Sequence, residues 1–443
     1  SYNLGFGDFI YQDGSGRTIG TAKNMNEFEM QLQSIPTETL LYHASRNHFS
    51  LWLTARGEIQ LAREIAPKKI SDFNDPEGLR NYLVRIVKQL KYEKNKGKIL
   101  DFDETLITEE SNIIQLSPGS LGGKGRGLAF IHTLIYNFDI SHYVPGVNIK
   151  APRTFIIGTN EFEEFLDNNM LRTSIYSETD YEKIKELFIR GRLTPELENK
   201  LRIILGKIKK PLAVRSSGLF EDSLMQPFAG IFETFLVPNS NEDIEVRLNQ
   251  LSDAVKLVYA SIYSETARGY INAINYKIEE EKMAVIIQEV VGEQYENYYY
   301  PHISGVSQSY NYYPYGHMQP EDGFAVIAVG LGTYVVEGEK AFRFSPKYPN
   351  LENSTPRDQY MNSQVEFYAI DLRKKELNLL EGDTVGLARL SIEDAERHGV
   401  LKHCASVYYA ESKTIYAGLD RAGPRVVNFA DILKYDYIPL AKS

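Results

Sequence analysis

The chain has 443 residues, of which 43% are hydrophobic and 24% charged, enough for two or three domains with several apolar cores. Its 49 basic and 59 acidic residues leave a net charge of −10, which argues against a nucleic acid or an acidic membrane surface as partner. One cysteine, Cys404, excludes an intrachain disulfide, and neither a leader pattern nor a run of about 18 apolar residues is found, so the cytoplasm is the expected compartment.

From residue 1 to about residue 100 the sequence predicts a separate, mostly helical region. Asp75-Pro76 starts a helix in which Leu79, Leu83, Ile86, Val87 and Leu90 recur at helical spacing. His43, Arg46 and His48 with Trp52 form a polar-aromatic cluster, either a binding site or the mixed face of a helix. Lys91 to Lys98 carries charge without an apolar period and reads as a solvated linker, so a second domain is expected over 111–443.

That domain opens with GSLGGKGRG, Gly119 to Gly127, ahead of an amphipathic helix with Leu128, Ile131, Ile135 and Phe138 on one face. Glycines before a helix leave backbone N–H groups to point at an anion, and Lys124 adds a mobile positive charge, so phosphate suits the chemistry. The spacing is not that of the common P-loop: it is one residue short, and Gly125 stands where a Ser or Thr would hold magnesium. A plain flexible turn is the competing reading. Thr154 to Gly158 is a short buried strand, and Asn160 is expected to cap a helix carrying Phe162, Phe165 and Leu166.

Leu212, Ala213 and Val214 form the next buried strand, with Arg215, Ser216 and Ser217 expected where it meets a loop. A guanidinium and two hydroxyls together offer donors to an anion. Glu221 and Asp222 follow, and Gly230 opens a returning apolar run ending in Thr234, so Arg215 either binds that anion or pairs with one of the two carboxylates. A helix is predicted over Asn241–Tyr259 and a strand over Met283–Val291. The tyrosine-rich Tyr295–Tyr315 lacks the basic neighbours of a nucleic-acid stacking platform, and reads as two half-buried hairpin strands around Ser304-Gly305-Val306.

Several of these segments, taken in order, resemble the ATP-binding domain of the pyruvate phosphate dikinase and phosphoenolpyruvate synthase family. They are Gly122-Gly123-Lys124-Gly125 with Leu128, Ala151 to Phe155, Val214 to Ser217, Phe228-Ala229-Gly230 with Thr234, and Ala260-Ser261 with Ala267-Arg268 and Tyr270. Val285 to Val291, Ser304-Gly305-Val306, and Gly330-Leu331-Gly332 with Val335-Val336 and Gly338 continue the series. An ordered series of short motifs is far more specific than any one of them. The resemblance spans roughly 113–345 and fades beyond Pro346.

It implies an α+β, ATP-grasp-like domain whose two lobes close on ATP, behind the mostly helical N-terminal region. The implied activity is that of an ATP-dependent phosphotransferase that phosphorylates a histidine on a separate swivel domain, expected outside this chain. Lys124 and Arg215 would be its catalytic cations. Gly122, Gly123, Gly125, Ser216, Ser217, Gly230 and Thr234 would line the phosphates, with Gln288, Glu289 and Val291 reading the adenine. ATP with Mg2+ is the implied cofactor set; the metal ligands are left unassigned.

The chain also departs from the family pattern. Gln308 to Pro314 replaces a Thr-Arg-Asp-Pro-like turn, and Thr333 stands where an acidic residue usually follows the second glycine. Val365 to Asp371 imitates the acidic, metal-holding strand of the family, but Lys374 to Glu381 supplies no Gln-x-Arg-Pro-like partner. No Thr-Ser-His-like segment and no PEP- or pyruvate-binding barrel is recognisable. A domain truncated at its C-terminal end is therefore expected, and a non-catalytic ATP or AMP sensor is the rival reading.

Overall fold

The computed structural model describes residues 7–95, 97–107, 112–138, 144–219, 230–274, 276–351, 354–435 and 437–441. It divides into two compact units, Ser1–Lys98 and Ile99–Ser443. In the first, an antiparallel hairpin of β1 (Phe9–Gln12) and β2 (Thr18–Ala22) precedes α1 (Met25–Ser34), α2 (Thr37–Ser45), α3 (His48–Ala55), α4 (Ile59–Ile65) and α5 (Pro76–Asn95). Phe9, Tyr11, Phe28, Phe49, Leu83 and Val87 meet in its core. Asp75 Oδ1 accepts the Gly78 N–H at 2.6 Å at the start of α5. The helix then continues to Asn95, through most of the segment expected to be a linker. Lys91 folds back instead of staying in solvent, its Nζ 2.7 Å from Glu29 Oε2 on α1.

In the polar-aromatic cluster His43 is core, His48 and Trp52 are half-buried, and Arg46 is exposed. His43 is buried against Phe9 and Phe49, and its Nε2 accepts the Gln12 N–H at 2.8 Å. That bond leaves the proton of the neutral ring on Nδ1, 3.0 Å from His48 Nδ1. Burial, with the neighbouring His48, holds the His43 pKa down at about 4.

The second unit has two cores. The first is built on β3 (Ile99–Asp101), β4 (Ile113–Ser117), β5 (Thr154–Ile157), β6 (Leu212–Gly218), β7 (Thr234–Val237) and β8 (Met283–Glu289). Among the described residues these form one six-stranded sheet in the order β3-β4-β5-β8-β6-β7. β3, β4 and β5 are parallel, and β8 runs antiparallel between β5 and β6. The helices are α6 (Gly122–Asn137), α7 (Thr159–Asn168), α8 (Arg172–Ser177), α9 (Tyr181–Arg190), α10 (Pro195–Lys207), α11 (Ile244–Ala260) and α12 (Glu265–Ala273).

Strand alternation assigns the two faces. Phe155, Ile157, Leu212, Val214, Val285 and Ile287 enter the main core with Phe162, Phe188, Leu201 and Leu251 of the helices. Ile113, Ile156 and Ile286 turn the other way and meet Leu121, Leu128 and Ala129 at α6. With both faces covered, every residue of β8 is buried.

The second core holds β9 (Glu293–Tyr295), β10 (Tyr298–Tyr300), β11 (Ile303–Gln308), β12 (Phe324–Val329), β13 (Phe342–Phe344), β14 (Glu366–Asp371) and β15 (Leu387–Ser391). The helices here are α13 (Thr333–Val336), α14 (Pro356–Met361) and α15 (Ile392–Arg397). Two sheets, β15-β14-β10-β9 and β11-β12-β13, share Tyr300, Val329, Phe367, Ile370 and Phe429. A further sheet, β17-β16-β18, is made of β16 (Ala405–Tyr409), β17 (Thr414–Ala417) and β18 (Arg425–Val427).

Four local expectations are corrected. β6 runs to Gly218 because Ser216, Ser217 and Gly218 pair with β8, so Arg215 and both serines lie within the strand, not in a loop. Gly158 is the N-cap residue of α7, and Asn160 sits in its first turn with its N–H on the Pro118 carbonyl at 3.3 Å. The tyrosine-rich run is not one hairpin: β10 pairs with β9 and β14, whereas β11 pairs with β12 in another sheet. Finally, a partner strand for β14 does exist, at β15, beyond the Lys374–Glu381 segment in which none was found. Among the described residues no helix is long and apolar enough to cross a membrane.

Candidate functional site

Gly122 to Gly127 of the glycine-rich segment open α6 itself instead of forming a loop before it, with Leu121 as N-cap residue. Gly122 has φ +69°, and a Cβ there would lie 1.9 Å from the Ser217 carbonyl oxygen and 2.4 Å from Ser217 Oγ. Only glycine lets the helix start so close to β6. Ser217 Oγ then fastens it, accepting the Gly125 N–H at 2.9 Å and donating to the Leu121 carbonyl at 2.7 Å. Gly122 N–H donates to Ser120 Oγ at 3.2 Å. Two N–H groups that the sequence offered to an anion are thus bonded within the protein.

Lys124 reaches from α6 to β6, its Nζ donating to Ser216 Oγ at 3.1 Å across 92 residues of sequence. Ser216 directly follows Arg215. Arg215 is paired in register with Thr234 of β7 and Ile286 of β8, and its Nη1 donates to Gln288 Oε1 at 2.9 Å. Gln288 Nε2 passes the chain on to Thr154 Oγ1 at 3.0 Å. A polar row therefore crosses β6, β8 and β5 on the face that α6 covers, and Lys124 bonds the residue of β6 that follows Arg215. Glu221 and Asp222, the alternative partners of Arg215, lie outside the described residues, as do Phe228 and Ala229. Gly230 resumes the chain, exposed and at φ +73°.

The expected base-reading edge is more committed than its sequence suggested. The Glu289 carboxylate is held by Arg153 Nε at 2.5 Å and Lys210 Nζ at 2.7 Å, and its N–H donates to the Arg153 carbonyl at 3.1 Å. Val290 donates to the Pro211 carbonyl at 2.9 Å and accepts the Tyr299 hydroxyl at 3.0 Å. Val291, by contrast, is 64% exposed. Gly123 is buried in the first turn of α6. Sequence reasoning gave no role to Arg153 or Thr154; only their place in a quoted motif marked them. Beside Thr234, burial raises the Glu233 pKa, and the Tyr181 hydroxyl donates to its Oε1 at 2.9 Å.

The sequence model of the family described as pyruvate phosphate dikinase, AMP/ATP-binding domain, matches residues 119–403. This chain belongs to that family. The match runs well beyond Pro346, where the resemblance was expected to fade. An uncharacterized phosphotransferase of Bacillus subtilis, YvkC, is 30% identical over 195 residues, 43% of this chain and 20% of that protein. Phosphoenolpyruvate synthases are similarly distant. That of Aeropyrum pernix is 27% identical over 43% of this chain and 24% of its own length, and that of Escherichia coli is 27% identical over 49% and 27% respectively. The chain thus spans about a quarter of the length of the curated relatives it matches. Membership establishes an AMP/ATP-binding domain of α+β structure, and a kinship with phosphotransferases.

Within this dikinase-type domain, β14 and β15 are the place to test the fit of a metal. They pair antiparallel, Glu366 opposite Ser391 and Tyr368 opposite Arg389. Arg389 Nη2 lies 2.7 Å from Glu339 Oε1 and Nη1 lies 3.3 Å from Glu366 Oε1, with the guanidinium carbon 5.1 Å from the Tyr368 ring centroid. Tyr368 in turn donates to Glu337 Oε2 at 2.8 Å. Among the described residues no three His, Cys, Asp or Glu side chains group so that they could hold a metal ion. A divalent ion needs several hard oxygen ligands at once, and these carboxylates already have cationic or hydroxyl partners, so the residues present do not fit magnesium.

Proposed function

We propose that this chain is the ATP-binding part of a phosphotransferase resembling phosphoenolpyruvate synthase and pyruvate phosphate dikinase, with 111–443 as its nucleotide domain and 1–100 as a separate region. In this reading the domain closes on ATP in the ATP-grasp manner, and the phosphoryl group passes to a histidine on a swivel domain outside the sequence given. The observation that carries it is the meeting of Lys124 with Ser216 beside Arg215. Phosphoryl transfer asks a protein mainly for positioning and charge neutralisation, and two cations on adjoining elements supply both. Ser216, Ser217, Gly230 and Thr234 would orient phosphate oxygens, with Gln288, Glu289 and Val291 toward the base. No protein ligand is assigned to magnesium.

A non-catalytic ATP or AMP sensor is the second reading, favoured by Thr333 and by the pairing of Glu366 with Arg389. Calorimetric titration of ATP tests the site itself. Lys124→Ala is expected to weaken binding roughly ten- to a hundredfold, the worth of one charge-assisted hydrogen bond. Equal, weak heats from both proteins would reject the site. AMP release with a phosphohistidine on a longer polypeptide would select the enzyme; intact ATP binding without either would select the sensor.

A further inference from the structure

The guanidinium on β15 lies against Glu366 of β14, the strand that imitates the family's metal-holding one, and its surroundings are built for a cation of the protein's own. Glu366 of β14 and Glu339, just after α13, converge on Arg389 from two elements, and the Tyr368 face lies beneath it. Glu337, the other carboxylate at this end of α13, is turned to the Tyr368 hydroxyl. Thr333, at the start of α13, adds no charge. This corner adjoins the strands of the nucleotide site: Gly386, at the head of β15, lies so near β7 that a Cβ on it would come within 2.5 Å of the Leu236 carbonyl. Leu236 is two residues along β7 from Thr234, the register partner of Arg215.

From this we infer that Arg389 is a resident cation replacing a protein-held divalent ion, so that nucleotide binding by this chain does not depend on magnesium bound to β14. The inference rests on the nucleotide reading above. An arginine is permanently charged and its planar fork satisfies two carboxylates at once, which an incoming ion would have to displace. The same pairs engage one oxygen each of Glu366 and Glu339, so an ion at β14 would have to compete with Arg389 for them.

Two measurements test it. In the first, Mn2+ is titrated into the protein without nucleotide and followed by electron paramagnetic resonance. The expected result is an undiminished free-ion signal. Uptake of Mn2+ that Glu366→Gln abolishes would overturn the inference. In the second, ATP affinity is measured by calorimetry with EDTA and again with excess Mg2+. The two values are expected to agree within about threefold, whereas Arg389→Gln, at a half-exposed site, should make affinity at least about tenfold dependent on Mg2+. A wild-type gain of about tenfold with Mg2+, lost in Glu366→Gln, would contradict the inference. Should ATP fail to bind in either buffer, the nucleotide reading falls, while the Mn2+ titration still decides the role of Arg389.

Discussion

The α6–β6 junction and the β14–β15 corner both bring an arginine-bearing strand against polar neighbours, but they dispose of the charge in opposite ways. At the junction, Arg215 donates to an amide oxygen, a group that orients a cation without neutralising it, and Lys124 has a serine hydroxyl among its contacts. At the corner, Arg389 meets two carboxylates. At the junction Ser216 and Ser217 are fully buried and Lys124 and Arg215 half-buried, whereas Arg389, Glu339 and Glu366 are each about two-fifths exposed. Charge oriented by neutral dipoles remains available to an anionic ligand; charge already paired does not. In the function proposed above, Arg215 is the cation left to an anionic ligand, whereas Arg389 is neutralised by its own neighbours.

The contrast can be broken first at Gly122. Gly122→Ala should destabilise the protein by about 3 kcal/mol, from the clash with Ser217 and the positive φ together, with loss of ATP binding because Lys124 moves with α6. Ser217→Ala should cost about 1–3 kcal/mol by stripping partners from the Gly125 N–H and the Leu121 carbonyl. Chemical denaturation checks both, and wild-type stability in either variant would show that the junction is not anchored as described.

A smaller effect should separate the regions by pH. Burial raises Glu233 beside β7, so its favourable contribution is fully present below the ordinary glutamate pKa and is lost as pH rises through its folded value. Arg373, donating to Asp371 at the end of β14, holds that carboxyl below its usual range despite its burial. Its contribution is present above the ordinary aspartate pKa and lost as pH falls through the depressed one. Glu233→Gln should therefore relieve the wild type most at neutral pH, whereas Asp371→Asn should cost most at neutral pH and least in acid. Stability curves of the two variants with the same pH slope would remove the distinction.

Much of the fold could be read from the sequence, because apolar runs such as Met283–Glu289 report local geometry. What stayed hidden depended on neighbours remote in sequence. β6 swallowed Arg215, Ser216 and Ser217 because β8 offered register partners as far as Gly218. Arg153 looked like motif filler until Glu289 arrived beside it. β15 was missed because Leu372 to Gly386 separates it from β14, and because Leu387 to Ser391 contains no glutamine. The glycines were read as donors to an anion, whereas Ser120 and Ser217 take two of those N–H groups. Nothing local to the helix announces a serine 92 residues away.

The central claim, that Lys124 and Arg215 serve one triphosphate, is tested most directly by an experimental structure of the chain with a non-hydrolysable ATP analogue. The account predicts phosphate oxygens within hydrogen-bonding distance of both Lys124 Nζ and an Arg215 guanidinium nitrogen. An analogue bound with its phosphates away from both side chains, or touching only one while the other keeps its bond to Ser216 or Gln288, would contradict it.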